Sequence, residues 1–245
     1  MVPLRRLLSR FRRSPPEEEP EVPFRVGGDA FELLKRELSS RENPRILEIG
    51  SREVTGENLR ELMELGAHEY TGFDYHPGPG VDVVGDVHEL SRHVAHEQFD
   101  AVVSKSVFEH LALPWVAVLE INKVLRVGGV CFINTFQTFP LHETPWDFFR
   151  FSDNAWYVLF NRWTGFEVLA AGMNTPCRVV HRGQAPEGWV DSHTAYINSD
   201  IVVRKLGPYD QTRLRWDLTA ADVLEAPYPE PAGADEPPPS GQTPR

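Results

Sequence analysis

Arg45-Ile46-Leu47-Glu48-Ile49-Gly50-Ser51-Arg52-Glu53-Val54-Thr55-Gly56 is the stretch that decides how the chain folds. Ile46, Leu47 and Ile49 make a short apolar run of the kind that buried parallel strands show. The run stops at Gly50, where a backbone without Cβ can turn sharply and lie close to a ligand. Leu59, Leu62, Met63 and Leu65 then recur at helical spacing, with Gly66 as the stop. Strand, glycine turn and helix open a nucleotide-binding α/β domain, whose ligand lies across the carboxyl ends of the strands. A second short strand, Tyr70-Thr71-Gly72-Phe73-Asp74, ends in an acid. A carboxylate there can accept two hydrogen bonds from a ribose diol.

The same alternation runs outward in both directions. Upstream, Phe31, Leu34 and Leu38 predict a helix over 30–38, capped by Asp29 and separated from the first strand by Asn43-Pro44. Downstream, residues 75–80 are too rich in Pro and Gly to be regular, and 81–84 reads as a third strand ending at Gly85-Asp86-Val87. Asp86 is well placed to cap a helix over 88–96. Phe99 to Val103 is an apolar central strand, followed by Ser104-Lys105-Ser106 and then Glu109-His110. Pro114 suits the first turn of a helix to Leu125, whose apolar face is Val118, Leu119, Val124 and Leu125. Val127-Gly128-Gly129 turns into a fifth strand over 130–135. A helix from Ser152 or Asp153 through Trp163, strands over 166–170 and 201–206, and a short helix over 216–224 complete the order.

Leu47-Glu48-Ile49-Gly50, Gly72-Phe73-Asp74, Gly85-Asp86, Phe99 to Val103 and Val124 to Gly129 stand in the order seen in class I S-adenosylmethionine-dependent methyltransferases. The chain resembles that family over roughly residues 43–206. The resemblance implies a doubly wound, seven-stranded Rossmann-like sheet, mostly parallel with an antiparallel edge hairpin and helices on both faces. It implies S-adenosyl-L-methionine as cofactor, bound by Glu48, Gly50, Ser51, Arg52, Asp74, Tyr75, Asp86, Val87 and Ser104. In that reading Asp86 meets the adenine amino group, the next amide a ring nitrogen, and Ser104 lies near the reacting sulfonium. The chain departs from the family in its glycine loop, where Arg52 and Val54 stand in place of glycines. The Arg52 guanidinium either points away or pairs with the carboxylate of the cofactor's amino-acid tail.

Thr138 to Ser152 is the second informative stretch, with His142, Trp146, Asp147 and Arg150 among several aromatics just past the fifth strand. It resembles a pattern of one branch of these enzymes and is expected to wall the acceptor side. His142 and His110 are the candidate general bases, since an unperturbed imidazole titrates near pH ~6.5; Asp147 is the third candidate catalytic group. Trp146 and Arg150 are candidates for substrate contact, Arg150 through an anionic group. Two plainer readings stand beside these. Asp147 and Arg150 can pair with each other and merely fix the loop, and a histidine beside Glu109 can be a hydrogen-bonded structural residue.

A net charge of −11 argues against nucleic acid as the main partner, because phosphate binding wants a basic surface. The expected acceptor is a small molecule, a sugar or a glycan. Cys131 and Cys177 lack metal-ligand spacing and suit free thiols in a reducing compartment, so a cytoplasmic location is expected and no metal is assigned. No apolar run approaches the ~20 residues that span a bilayer. Residues 1–23 form a basic leader and a Pro/Glu-rich linker, and Arg5, Arg6, Arg10, Arg12 and Arg13 allow weak membrane-surface contact through 1–13. The domain is expected over 24–225, with a substrate-side loop at 136–152 and an insertion at 172–200, followed by a disordered Pro-rich tail over 226–245. Oligomeric state is not legible. Two rival classes remain, a methyltransferase-fold binding module without chemistry and a nicotinamide-dependent oxidoreductase; the latter wants Gly-x-Gly-x-x-Gly, which is absent after the first strand.

Overall fold

The computed structural model describes residues 29–54, 59, 69–180, 193–214, 216, 217 and 219. The basic leader, the rest of the helix expected over 59–65 and the Pro-rich tail lie outside the described residues. Helix α1 (Asp29–Ser39) leads into β1 (Arg45–Ile49), β2 (Glu69–Asp74) and β3 (Val83–Val84). A 3-10 turn at Val87–Glu89 and helix α2 (Leu90–His93) precede β4 (Phe99–Lys105). A second 3-10 turn at Phe108–His110, helix α3 (Pro114–Val124), β5 (Leu125–Phe136) and helix α4 (Asp153–Leu159) follow. The last strands are β6 (Phe166–Cys177) and β7 (Ala195–Lys205).

The strands form one seven-stranded sheet in the order β3-β2-β1-β4-β5-β7-β6. β1 through β5 pair in parallel, and β7 runs antiparallel to both β5 and β6. This is the expected sheet with its antiparallel edge pair. A dinucleotide-binding sheet of order 3-2-1-4-5-6 has no such reversed strand, so the nicotinamide reading loses its architectural support.

Successive residues on the central strands point to opposite faces, and the core splits accordingly. Leu47, Val102, Cys131, Ile133, Ile201 and Val203 pack on one face with Ala117, Val118 and Ile121 of α3 and with Trp156 and Phe160. Ile46, Ala101, Val103, Val130, Phe132 and Val202 pack on the other with Phe31, Leu34 and Leu38 of α1. Helices on both faces explain why these strands read as continuous apolar runs rather than alternating ones. On α3 the buried apolar residues include Ala117 and Ile121, whereas Leu119 is only half-buried.

Several boundaries differ from the sequence reading. The third strand shrinks to two residues, because it ends a sheet and pairs only with Phe73 and Asp74. The helix after Ser152 stops at Leu159 instead of running to Trp163. Trp216, Asp217 and Thr219 are not helical. The ladder between β6 and β7 extends to Cys177↔Ala195, so residues 172–177 and 195–200 belong to the sheet and not to an insertion. Gly, Asn, Thr and Pro in 172–177 hid the strand from a reading based on apolar runs.

Candidate active site

A cavity of about 570 Å³ opens at the carboxyl ends of the parallel strands. That is within the roughly 300–1,000 Å³ typical of small-molecule sites. Glu48, Gly50, Arg52, Asp74, Tyr75, Asp86, Val87, His110, His142 and Trp146 line it, as the sequence suggested. Ser51, Ser104, Asp147 and Arg150 are not among its lining residues.

The β1 end sets one half. Gly50 has φ +84, and a Cβ there would lie 2.2 Å from Cγ2 of Val107, so no side chain fits at the turn. Gly50 and Ser51 donate their amides to the Phe73 carbonyl at 2.8 and 3.2 Å, tying the turn to the end of β2. The Arg52 amide and the His76 amide donate to the two oxygens of Asp74 at 3.2 and 2.9 Å. Arg52 Nε lies 3.7 Å from Asp74 Oδ1, so the guanidinium stem leans toward the second-strand acid. Of the two orientations open at the sequence level, neither is pure: the side chain stays by the cavity but its charge faces Asp74. Glu48 is buried, and Tyr70 donates to its Oε2 at 2.5 Å. Burial pushes its carboxyl up, and the Tyr70 hydroxyl only partly offsets this.

Asp86 does cap a turn, though a 3-10 turn, and its Oδ1 accepts from the His88 amide at 2.9 Å. The same oxygen lies 2.6 Å from His88 Nδ1. The Leu113 amide donates to His88 Nε2 at 3.3 Å, so Nδ1 carries the hydrogen. Burial alone would raise the Asp86 carboxyl, but the hydrogen bonds from the His88 ring and amide outweigh it and the net shift is downward. His88 thus braces a cavity acid against the start of α3. The sequence reading missed it because a histidine two residues past a cap carries no distinguishing signal.

The β4 and β5 ends set the other half. Phe136 and Phe139 stack at 4.0 Å between ring centres, and the His142 ring packs edge-on to both. His110 and His142 lie 4.7 Å apart, ring to ring. Tyr75 and Trp146 close the aromatic wall at 5.9 Å. Ser106 and Glu143, both on the cavity, hold positive φ values of 54 and 49, a strain that collects at functional sites.

Asp147 and Arg150 turn out to fix the loop. The Asp147 side chain is fully buried and takes both terminal nitrogens of Arg150 at 2.5 and 2.8 Å, with the His142 amide at 2.9 Å. Arg150 spends its remaining donors on the carbonyls of Phe139, Pro140 and Phe149. With its five N–H groups engaged, Arg150 has none left for an anionic substrate. The Arg150 hydrogen bonds hold the Asp147 carboxyl well below the usual range against the opposing effect of burial, which suits a charged brace and not a proton carrier. Ser104 is buried within β4, where its hydroxyl finds no hydrogen-bond partner, and Ser51 is buried beside Gly72.

Glu109 is the residue at this end that the sequence reading undervalued. It sits at 0% exposure, with Thr135 donating to Oε2 and Oε1 lacking a hydrogen-bond partner. Burial pushes its carboxyl up to about 7. Burial also pushes the neighbouring His110 imidazole down, opposed by its bond to the Trp146 carbonyl. Only the adjacency of Glu109 to His110 was visible in the sequence; the return of His142 to the same spot is a tertiary fact.

Residues 47–133 match the family model described as a methyltransferase domain. No curated protein matches the sequence. Among solved structures, a methyltransferase of Bacillus halodurans described as putative is 14% identical, covering 74% of this chain and 100% of its own, with a TM-score of 0.53. An S-adenosylmethionine-dependent methyltransferase of Archaeoglobus fulgidus is 16% identical, covering 72% and 95%, at 0.51. The Burkholderia thailandensis 1,6-didemethyltoxoflavin-N1-methyltransferase, solved with 1,6-didemethyltoxoflavin and S-adenosylhomocysteine, is 16% identical, covering 72% and 76%, at 0.50. At these identities the likeness speaks for the fold.

Proposed function

We propose, for a chain whose fold is that of the class I S-adenosylmethionine-dependent methyltransferases, that it binds S-adenosyl-L-methionine and methylates a small-molecule, sugar or glycan acceptor. One observation carries the reading. The cavity joins Gly50, Asp74 and Asp86, at the ends of three adjacent strands, to an aromatic and histidine wall at the ends of β4 and β5. The first half fits the cofactor. Gly50 leaves backbone open to the ligand, Asp74 is a pre-held carboxylate for a ribose diol, and Asp86 with the Val87 amide faces the adenine position. Glu48, Arg52 and Tyr75 border the same half. When bound, S-adenosyl-L-methionine supplies an activated methyl group on a positively charged sulfur.

The protein's own part is then alignment and exclusion of water, and orientation can be worth ~7–11 kcal/mol. The stacked Phe136 and Phe139, with Trp146 and Tyr75, offer flat apolar faces to a ring-shaped acceptor. His110 and His142 line that end. The brace of Asp147 and Arg150 keeps His142 in place by holding its amide. Two free thiols, Cys131 and Cys177, suit a reducing compartment, and the cytoplasm is the proposed location.

The test is calorimetric binding of S-adenosylmethionine and S-adenosylhomocysteine, with Asp74→Ala as comparison. Hydrogen bonds to a charged group contribute about 1.5–3 kcal/mol, so Asp74→Ala should weaken binding roughly 10- to 150-fold. Absence of binding by the unaltered protein would favour the rival reading of a fold kept without its chemistry. The leaning of Arg52 on Asp74 is the feature that would then explain the loss.

A further inference from the structure

Beyond the cofactor half, two histidines on the cavity wall and the buried Glu109 bring three donor atoms face to face with no hydrogen bond between them. Glu109 Oε1 is buried without a hydrogen-bond partner. Such an atom is costly unless something positive meets it. His110 Nε2 lies 3.8 Å from it and His142 Nε2 4.0 Å, both beyond hydrogen-bond range. The other ring nitrogens are engaged elsewhere. His110 Nδ1 is 2.5 Å from the Trp146 carbonyl oxygen. His142 Nδ1 is 3.1 Å from the Pro140 carbonyl oxygen and 3.3 Å from Asp147 Oδ2. Carbonyls only accept, so this network places the hydrogen of each neutral ring on Nδ1 and leaves the Nε2 lone pair toward Glu109.

We propose that Glu109, His110 and His142 form a binding site for a divalent first-row transition ion at the acceptor end of the cavity. Their donor atoms lie within 4.8 Å of one another. Ligand atoms about 2.0–2.2 Å from a tetrahedral ion stand about 3.3–3.6 Å apart, so closing the set needs the two histidine rings and the carboxylate to draw together by up to about 1.2–1.5 Å. Two imidazoles and one carboxylate select an ion of the Mn²⁺ to Zn²⁺ series over Mg²⁺ or Ca²⁺, which take oxygen ligands. The outer partners are those of a metal site, a carbonyl on one Nδ1 and a carbonyl with a carboxylate on the other. They also give the brace a purpose, because Asp147 orients the His142 ring through both its amide and its Nδ1.

Both histidines line the cavity, so the open positions of the ion face the acceptor. An ion lowers the pKa of a hydroxyl bound to it, and the site therefore suits an acceptor that presents a hydroxyl oxygen. That consequence rests on the methyltransferase reading; binding of the ion does not.

The test is titration of chelator-treated protein with Co²⁺, read by its visible absorption and by metal analysis after dialysis, alongside S-adenosylhomocysteine calorimetry. One Co²⁺ per chain is expected, displaced by Zn²⁺. His142→Ala and Glu109→Gln should each weaken it roughly 100-fold, and Asp147→Asn about 10- to 100-fold. The exposed His96→Ala should leave it unchanged. Absence of a bound ion, or equal affinity in His142→Ala, overturns the site even where S-adenosylhomocysteine binds normally. Ion binding without S-adenosylhomocysteine binding upholds the site and removes the methyltransferase reading. Should the buried Glu109→Gln fail to fold, His142→Ala, with a side chain 27% exposed, decides alone.

Discussion

Replacing Arg150 by alanine tests whether the loop after β5 is held by a single guanidinium. Arg150 donates to the two oxygens of Asp147 and to three backbone carbonyls. Its removal leaves a carboxylate of 0% side-chain exposure with only His142 beside it. Breaking a buried ion pair from one side costs roughly 3–5 kcal/mol. The Arg150 side chain is 24% exposed, so water offsets part of the loss and the lower end, about 3 kcal/mol, is expected. For a domain of this size that is a fall in Tm of roughly 6–12 °C. Urea unfolding with an unchanged m-value is the assay. Arg150→Lys keeps the charge but not the fork, and should fall between wild type and alanine. Removing both partners, Asp147→Leu with Arg150→Met, should cost less than Arg150→Ala alone, because no buried charge is stranded. A loss below about 0.5 kcal/mol for Arg150→Ala, within the range of neutral surface changes, would refute the brace. A double variant as unstable as the sum of its parts would refute the coupling.

Gly50→Ala places a Cβ 2.2 Å from Val107 at a φ of +84; the β1 turn must shift, so S-adenosylhomocysteine affinity should fall at least about tenfold with a stability loss of about 1–3 kcal/mol, measured by calorimetry and urea unfolding. Asp86→Asn removes a carboxylate whose folded pKa lies below its unfolded one. The stability that this charge contributes is present above the unfolded value near ~3.9 and lost as pH falls through the folded value. The gap between wild type and Asp86→Asn should therefore be constant from about pH 6 to 8 and close below about pH 4. Cys131 is fully buried, and burial pushes its thiol far up; a thiol reagent should leave it unmodified in the native protein and label it on unfolding.

Much of the sheet was legible because its central strands are buried on both faces. Ala101 to Val103 and Val130 to Ile133 are apolar without interruption, as is Ile46 to Ile49 apart from Glu48, and that pattern follows from helices on either side. The extension of β6 through Gly172, Met173, Asn174, Thr175 and Pro176 was not legible. At the sheet edge main-chain pairing, not apolar burial, decides the strand, and a propensity reading has nothing to detect there. In the half of the cavity proposed for the cofactor, Asp74 and Asp86 were found from their fixed places after strands, whereas Ser51 and Ser104, expected there too, are buried and do not line it. The acceptor half depends on partners distant in sequence: Glu109 meets Thr135 and His142, and the Asp147 carboxylate is withdrawn from the cavity by Arg150.

The altered glycine turn shows how a local rule can fail without loss of the space it protects. A glycine at position 52 or 54 would leave room beside the β1 end by having no side chain. Here the neighbouring segment provides that room. A Cβ on Gly78 would lie 2.9 Å from Arg52 Cγ, and one on Gly80, with φ +82, would lie 2.6 Å from the Ser51 carbonyl oxygen. On β2, a Cβ on Gly72 would meet the Gly80 carbonyl oxygen at 1.9 Å and Ser51 Oγ at 2.7 Å. The Pro/Gly-rich stretch after β2 is thus the complement of the turn after β1. The Glu53 amide, donating to the Pro79 carbonyl at 3.1 Å, joins the two. Arg52 lies across Gly78 with its Nε toward Asp74, which leaves the Gly50 backbone on the cavity wall. On this geometry Gly78→Ala or Gly80→Ala should weaken S-adenosylhomocysteine binding although neither residue lines the cavity. If both bind as tightly as the unaltered protein by calorimetry, the glycines of residues 78–80 do not stand in for the missing ones.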